Sequence, residues 1–122
     1  YNGVEFNVYL SKSNDLMNWN YIRMLLYNCD MPYIYRINGY DYILMVHEQW
    51  FNDESSVPSR IGIKLYNNEN DLVNGMYEYS YNISLTLGST TNIEGTPNIY
   101  SAYVNKYGCI NAYIGFHYND AS

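Results

Sequence analysis

A chain of 122 residues is long enough for one domain and no more. Its formal net charge of −6, with only six Lys and Arg against twelve Asp and Glu, excludes a nucleic-acid backbone as partner, because phosphates are held by clustered basic side chains. No apolar run approaches the roughly 20 residues that a membrane-spanning helix needs, and the first residues show neither the basic start nor the apolar core of a signal peptide.

Seventeen Tyr and eighteen Asn, with few alanines, make a chain of strand and turn formers, so an all-β protein is expected. In chain order, Val4 to Leu10 alternates as a strand, and Ser11 to Asn18 turns it back into Trp19 to Leu26. Pro32 to Ile37 is apolar on both faces and is expected to be buried, with Pro at its first residue where no ladder donor is lost. Asn38-Gly39 predicts a type I′ hairpin leading into Tyr40 to Glu48. Gln49 to Ser59 reads as a long binding loop, followed by strands over Arg60 to Tyr66 and Met76 to Leu85. The polar segment between these two strands carries one expected helical turn at Asp71-Leu72-Val73. Pro97 to Val104 and Cys109 to Tyr118 form a last hairpin across Asn105-Lys106-Tyr107-Gly108.

The chain repeats itself. Val8-Tyr9-Leu10 leading to Asp15-Leu16 matches Ile63-Lys64-Leu65 leading to Asp71-Leu72, and Asp30-Met31-Pro32 matches Glu94-Gly95-Thr96-Pro97. The spacings, 56 residues from Asp15 to Asp71 and 65 from Pro32 to Pro97, are near the length of a propeller blade. The division that follows is residues 1–27 as the outer strands of one blade, 28–85 as a complete four-stranded blade, and 86–122 as the inner strands of the next. A self-contained sandwich is the competing architecture.

The order of these motifs resembles that of the five-bladed β-propeller glycoside hydrolases, the superfamily of family 43 arabinanases and xylosidases and family 32 fructosidases. Ser13-Asn14-Asp15-Leu16 with Trp19 is similar to the hairpin between its blades, Asp30-Met31-Pro32 to its acid-Pro blade start, and Glu94-Gly95-Thr96-Pro97 to its Glu-Gly-Pro. The resemblance implies a glycosidase segment in which Glu94 is the general acid and Asp30 its modulator, with the base or nucleophile upstream of Tyr1. The stretch alone is then expected to be inactive. Met31 intervenes between acid and proline and Thr96 intervenes at the later site, and one inserted residue turns a side chain to the opposite face of a strand.

Glycoside cleavage needs two carboxyl groups flanking the scissile bond, one protonated and one ionised, and acids before Pro32 and Pro97 are expected to open on one pocket. Trp50 and Phe51 are candidates for stacking on sugar rings, His47 and His117 for sugar-hydroxyl contacts or ion ligands, and Arg60 for a substrate group or for Asp53 or Glu54. Each also has a bland reading: Asp30 as a turn residue, Glu94 as a solvated loop acid, the histidines and Trp50 as packing. Trp19 and the many tyrosines are read as packing. No cofactor and no metal are expected, since CxxC and Cys/His clusters are absent. Cys29 and Cys109 are read as free thiols, with a disulfide as the alternative, and the sequon Asn82-Ile83-Ser84 points weakly to secretion. The expected partner is an oligo- or polysaccharide, with self-association through exposed sheet edges. Two other functions stay open: a non-catalytic carbohydrate-binding or structural propeller, and a small all-β interaction module.

Overall fold

The computed structural model describes residues 6–50, 59–83 and 92–120. Among these, eight strands form three antiparallel sheets, with one short helix. Strands β1 (Val8–Lys12) and β2 (Asn20–Leu26) make the first sheet. Strands β3 (Cys29–Arg36), β4 (Ile43–Trp50), β5 (Ser59–Tyr66) and β6 (Tyr79–Ile83) make the second, in that order. Strands β7 (Asn92–Val104) and β8 (Ile110–Asp120) make the third. The strands divide two, four and two among the three sheets.

Strand β4 of the central sheet is covered on both faces. Strand β4 is buried continuously from Ile43 to Glu48, which is why Ile43-Leu44-Met45-Val46 reads as an unbroken apolar run. Ile43 and Met45 face the first sheet, in a core with Val8, Leu26, Cys29, Tyr66 and Leu72. Leu44 and Val46 face the third sheet, packed with Ile37, Ile61, Ile99 and Ala102. Two cores therefore sit on opposite sides of one strand.

The turns explain the punctuation of the sequence. In the first, Asp15 accepts from the backbone N–H groups of Met17 (2.9 Å) and Asn18 (2.8 Å), and Ser13 Oγ accepts from Leu16 N–H (2.8 Å), which stands at φ +68°. These donors hold the Asp15 carboxyl well below the usual range, the Asn18 backbone N–H foremost. In the corresponding turn of the central sheet Asn68 caps helix α1 (Glu69–Val73), accepting from Asp71 N–H at 2.8 Å.

Several expectations change. The Asn38-Gly39 turn is not type I′, because only Gly39 takes a positive φ (+79°) and Tyr40 N–H bonds back to Ile37 C=O at 3.1 Å. Pro32 to Arg36 of strand β3 are exposed or half-buried rather than buried, and of the expected stretch only Ile37 lies fully in the core. Trp19 is 57% exposed, its indole N–H spent on Leu16 C=O, and most tyrosines lie at the surface instead of in the core. Cys29 is a buried free thiol and Cys109 an exposed one.

Candidate functional site

The hairpins β3–β4 and β7–β8 carry the same irregularity. Met31 stands at φ +50° and Thr96 at φ +48°, each immediately before a proline, and the ladder shifts register between Asp30 and Tyr33 and between Gly95 and Asn98. Both are β-bulges: two residues, Met31-Pro32 or Thr96-Pro97, oppose one on the partner strand, His47 or Phe116. A left-handed residue other than Gly costs about 1 kcal/mol, and proline lacks the N–H a regular ladder would need, so a bulge is where the pair fits. The residues that seemed to intrude on the motif are the bulge itself.

The bulge register corrects the alignment of the repeat. Asp30 opposes Glu48, and Gly95 opposes His117; Cys29 opposes Gln49, and Glu94 opposes Tyr118. Asp30 thus corresponds to Gly95, and Glu94 to Cys29. Glu94 also lies inside strand β7, fully buried, instead of in a loop ahead of it.

Asp30 and Glu48 meet on the face of the central sheet that looks toward β7. Glu48 is 7% exposed, donates its carboxyl proton to Asp30, and accepts from the Thr96 backbone N–H. Burial foremost, then the bond to Asp30 and its negative charge, push the Glu48 carboxyl up to about 7, against the Thr96 N–H that favours its ionised form. Trp50 donates its indole N–H to Asp30 Oδ1 at 3.1 Å. The third sheet makes room for this cluster through Gly95: a Cβ there would overlap the Glu48 carboxylate and stand about 2.8 Å from His117 Nε2. The side chain missing at Gly95 is replaced, in space, by Glu48 of the neighbouring sheet.

His47 and Arg60 go elsewhere. Strand alternation turns His47 to the face that looks at the first sheet, where its ring lies over Gly62 with Nε2 3.5 Å from Lys64 Nζ. Burial, and then the Lys64 charge, lower it to about 4, so it is neutral at physiological pH. Arg60 opposes Gln49 on that same side, with Nη1 buried and without a hydrogen-bond partner among the described residues. Cys29 Sγ bonds Gln49 Oε1 at 3.0 Å, and burial pushes its thiol up to about 11, which leaves it a core thiol rather than a nucleophile.

Of the residues expected from sequence, the structure gathers Asp30, Trp50 and His117 around Glu48, with Glu94 beside Gly95 on β7; Trp50 ends strand β4 and is not a loop residue. Phe51, Asp53 and Glu54 lie outside the described residues. Glu48 is the acid that the sequence reading missed. Its signal was its place opposite Asp30 in the Asn38-Gly39 hairpin, legible only with the bulge counted. No group of side chains suited to a metal ion occurs among the described residues. No family model, curated protein or solved structure matches the chain.

Proposed function

We propose that the chain is a segment of a glycan-cleaving β-propeller, its three sheets being successive blades of which only the central one is whole, and that the Asp30–Glu48 pair holds the proton used in cleavage. The observation that carries this reading is the direct hydrogen bond between the two carboxyls in a buried position beside the β7 bulge. A glycosidic bond breaks when a carboxyl still protonated near neutral pH delivers its proton to the departing oxygen. Glu48 has that property, and Asp30 acts as its modulator, the role that the motif resemblance implies for this position. Glu94, the acid implied by the same resemblance, lies on the adjoining strand and is the rival donor. Trp50 offers a ring face beside the pair, and His117 a polar contact for a sugar hydroxyl.

Two carboxyls in direct hydrogen bond are too close to be acid and base for each other, since those groups stand about 5–5.5 Å apart in retaining enzymes and 6.5–9.5 Å in inverting ones. The base or nucleophile in this reading is therefore a further carboxylate outside the pair.

The test is hydrolysis of a panel of aryl glycosides and polysaccharides by the chain, and by any longer polypeptide carrying it, as wild type, Glu48→Gln and Glu94→Gln. Loss of about 10²–10⁴-fold in kcat/KM for Glu48→Gln, smaller for an activated dinitrophenyl leaving group, places the donor at Glu48. The same loss in Glu94→Gln alone moves it there. Glycan binding without turnover, abolished by Trp50→Ala, replaces the enzyme with a carbohydrate-binding module.

A further inference from the structure

The three sheets are built from two kinds of hairpin. The inner kind, β3–β4 and β7–β8, carries the bulge before proline; the outer kind, β1–β2 and β5–β6, encloses the Asp15-Leu16 or Asp71-Leu72 turn. The central sheet joins one of each, inner to outer, through the β4–β5 ladder. The first sheet has only the outer hairpin and the third only the inner one. Among the described residues, then, β8 and β1 each keep one unpaired edge, and the two edges are those that β4 and β5 use on each other.

The faces beside those edges are also open. A groove of about 490 Å³ lies between the outer half of the central sheet and β8, lined by Leu44, Ile63, Leu65, Tyr79, Tyr81 and Ile114 among others. Its floor continues the core between the second and third sheets, to which Leu44, Ile63, Leu65 and Ile114 already belong. On the first sheet, Tyr9, Tyr21 and Met24 form an exposed apolar face, with the rings of Tyr9 and Tyr21 6.2 Å apart.

We propose that β7–β8 of one copy joins β1–β2 of a second copy, edge to edge, into a four-stranded sheet ordered β7-β8-β1-β2, with the Tyr9–Tyr21–Met24 face closing the groove. The register is set by the central sheet. There Met45 opposes Lys64; Ile114 corresponds to Met45 through the bulge register, and Tyr9 to Lys64 through the repeat, so Ile114 of one copy opposes Tyr9 of the next. Residues directly opposed on antiparallel strands share a face, and Ile114 lines the groove, so Tyr9 is delivered onto it. The apolar floor that the intrachain core leaves uncovered is thereby continued across the join. A heterologous contact of this type uses different surfaces on its two sides, so it propagates from copy to copy. It rests on the hairpin repeat and not on the glycan reading, and it lies at the Asn38-Gly39 end of the sheets, away from Asp30 and Glu48.

The test uses the 122-residue chain with Cys109→Ser, which removes the exposed thiol. Sedimentation velocity is expected to show association rising with concentration, at least tenfold weaker in Tyr9→Glu and in Tyr81→Glu, with the circular dichroism of each variant unchanged. Mixing Tyr9→Cys chains with Ile114→Cys chains under mild oxidation is expected to yield a covalent pair made of one of each, while Tyr9→Cys mixed with Ala112→Cys, two residues out of register, yields at least tenfold less. A chain that stays monomeric at every concentration overturns the proposal, as does Tyr9→Cys cross-linking chiefly to itself. Should Tyr9→Glu fail to fold, the cross-linking pattern alone decides.

Discussion

His47 and Glu48 are consecutive residues of one strand, and both are withdrawn from water, yet burial gives them opposite chemistry. His47 projects among Gly62, Lys64 and the first sheet, where a proton would add a second cation to a site that already holds an ammonium; it stays neutral down to about pH 4. Glu48 projects toward Asp30 and the third sheet, where losing a proton would place two anions in contact; it keeps that proton up to about pH 7. Desolvation works against charge on both faces. What differs is the neighbour, a lysine on one side and a carboxylate on the other, and this difference makes one face a core and the other a candidate site. Each face is also moulded around its buried group by a glycine, Gly62 under His47 and Gly95 under Glu48.

The largest effect is expected from filling the glycine on the core face. In Gly62→Ala the new methyl overlaps a fully buried imidazole with nowhere to go, and a loss of about 3 kcal/mol in urea unfolding is predicted. Gly95→Ala meets the end of a more flexible side chain, so the expected loss is nearer 1–2 kcal/mol. In compensation it expels the Glu48 carboxyl from Asp30, and carboxyl NMR should then show Glu48 titrating back in the ordinary range. A Gly95→Ala protein in which Glu48 still titrates near 7 would dissociate the two faces from their glycines.

Stability against pH separates the faces next. The folded-state value of Glu48 is raised from 4.5 to about 7, so its contribution is complete below 4.5 and is lost as pH rises through 7. The folded-state value of His47 is lowered from 6.5 to about 4, so its contribution is complete above 6.5 and is lost as pH falls toward 4. Between roughly pH 4.5 and 6.5 the two slopes oppose, and the wild type should be nearly flat. Glu48→Gln leaves the His47 slope, with stability rising by roughly 2 kcal/mol across the window, and His47→Gln leaves the opposite slope of similar size. Parallel curves for the two variants would refute the comparison. The smallest change is expected from Trp50→Phe, which removes the indole donor to Asp30 and should cost about 1 kcal/mol in urea unfolding.

Much of the architecture was legible in the residues. Alternation and turn chemistry located eight strands, and the recurrence of Asp-Leu and acid-Pro segments divided them into the three sheets observed. The helical turn expected at Asp71-Leu72-Val73 is observed as part of Glu69–Val73, where Asn68 supplies the N-cap. Trp19 was not legible, since its indole is held by a local carbonyl and needs no core. The candidate site was legible in part. Asp30, Trp50 and His117 do converge, while His47 and Arg60 turn away, because strand alternation places neighbours on opposite faces and a bulge moves that assignment by one residue.

The sequence by itself determined the hairpins, their order and their repetition, since these depend on local preferences: period-two apolarity, Asx and glycine turns, and proline where a ladder donor is not needed. Only the tertiary structure decided that Glu48 is the acid facing Asp30 and that Gly95 clears the space for it. Those facts depend on the register of two bulged ladders and on the approach of one sheet to another. A carboxyl becomes a proton carrier through its desolvation and its neighbours, and neither is a property of the residues beside it in the chain.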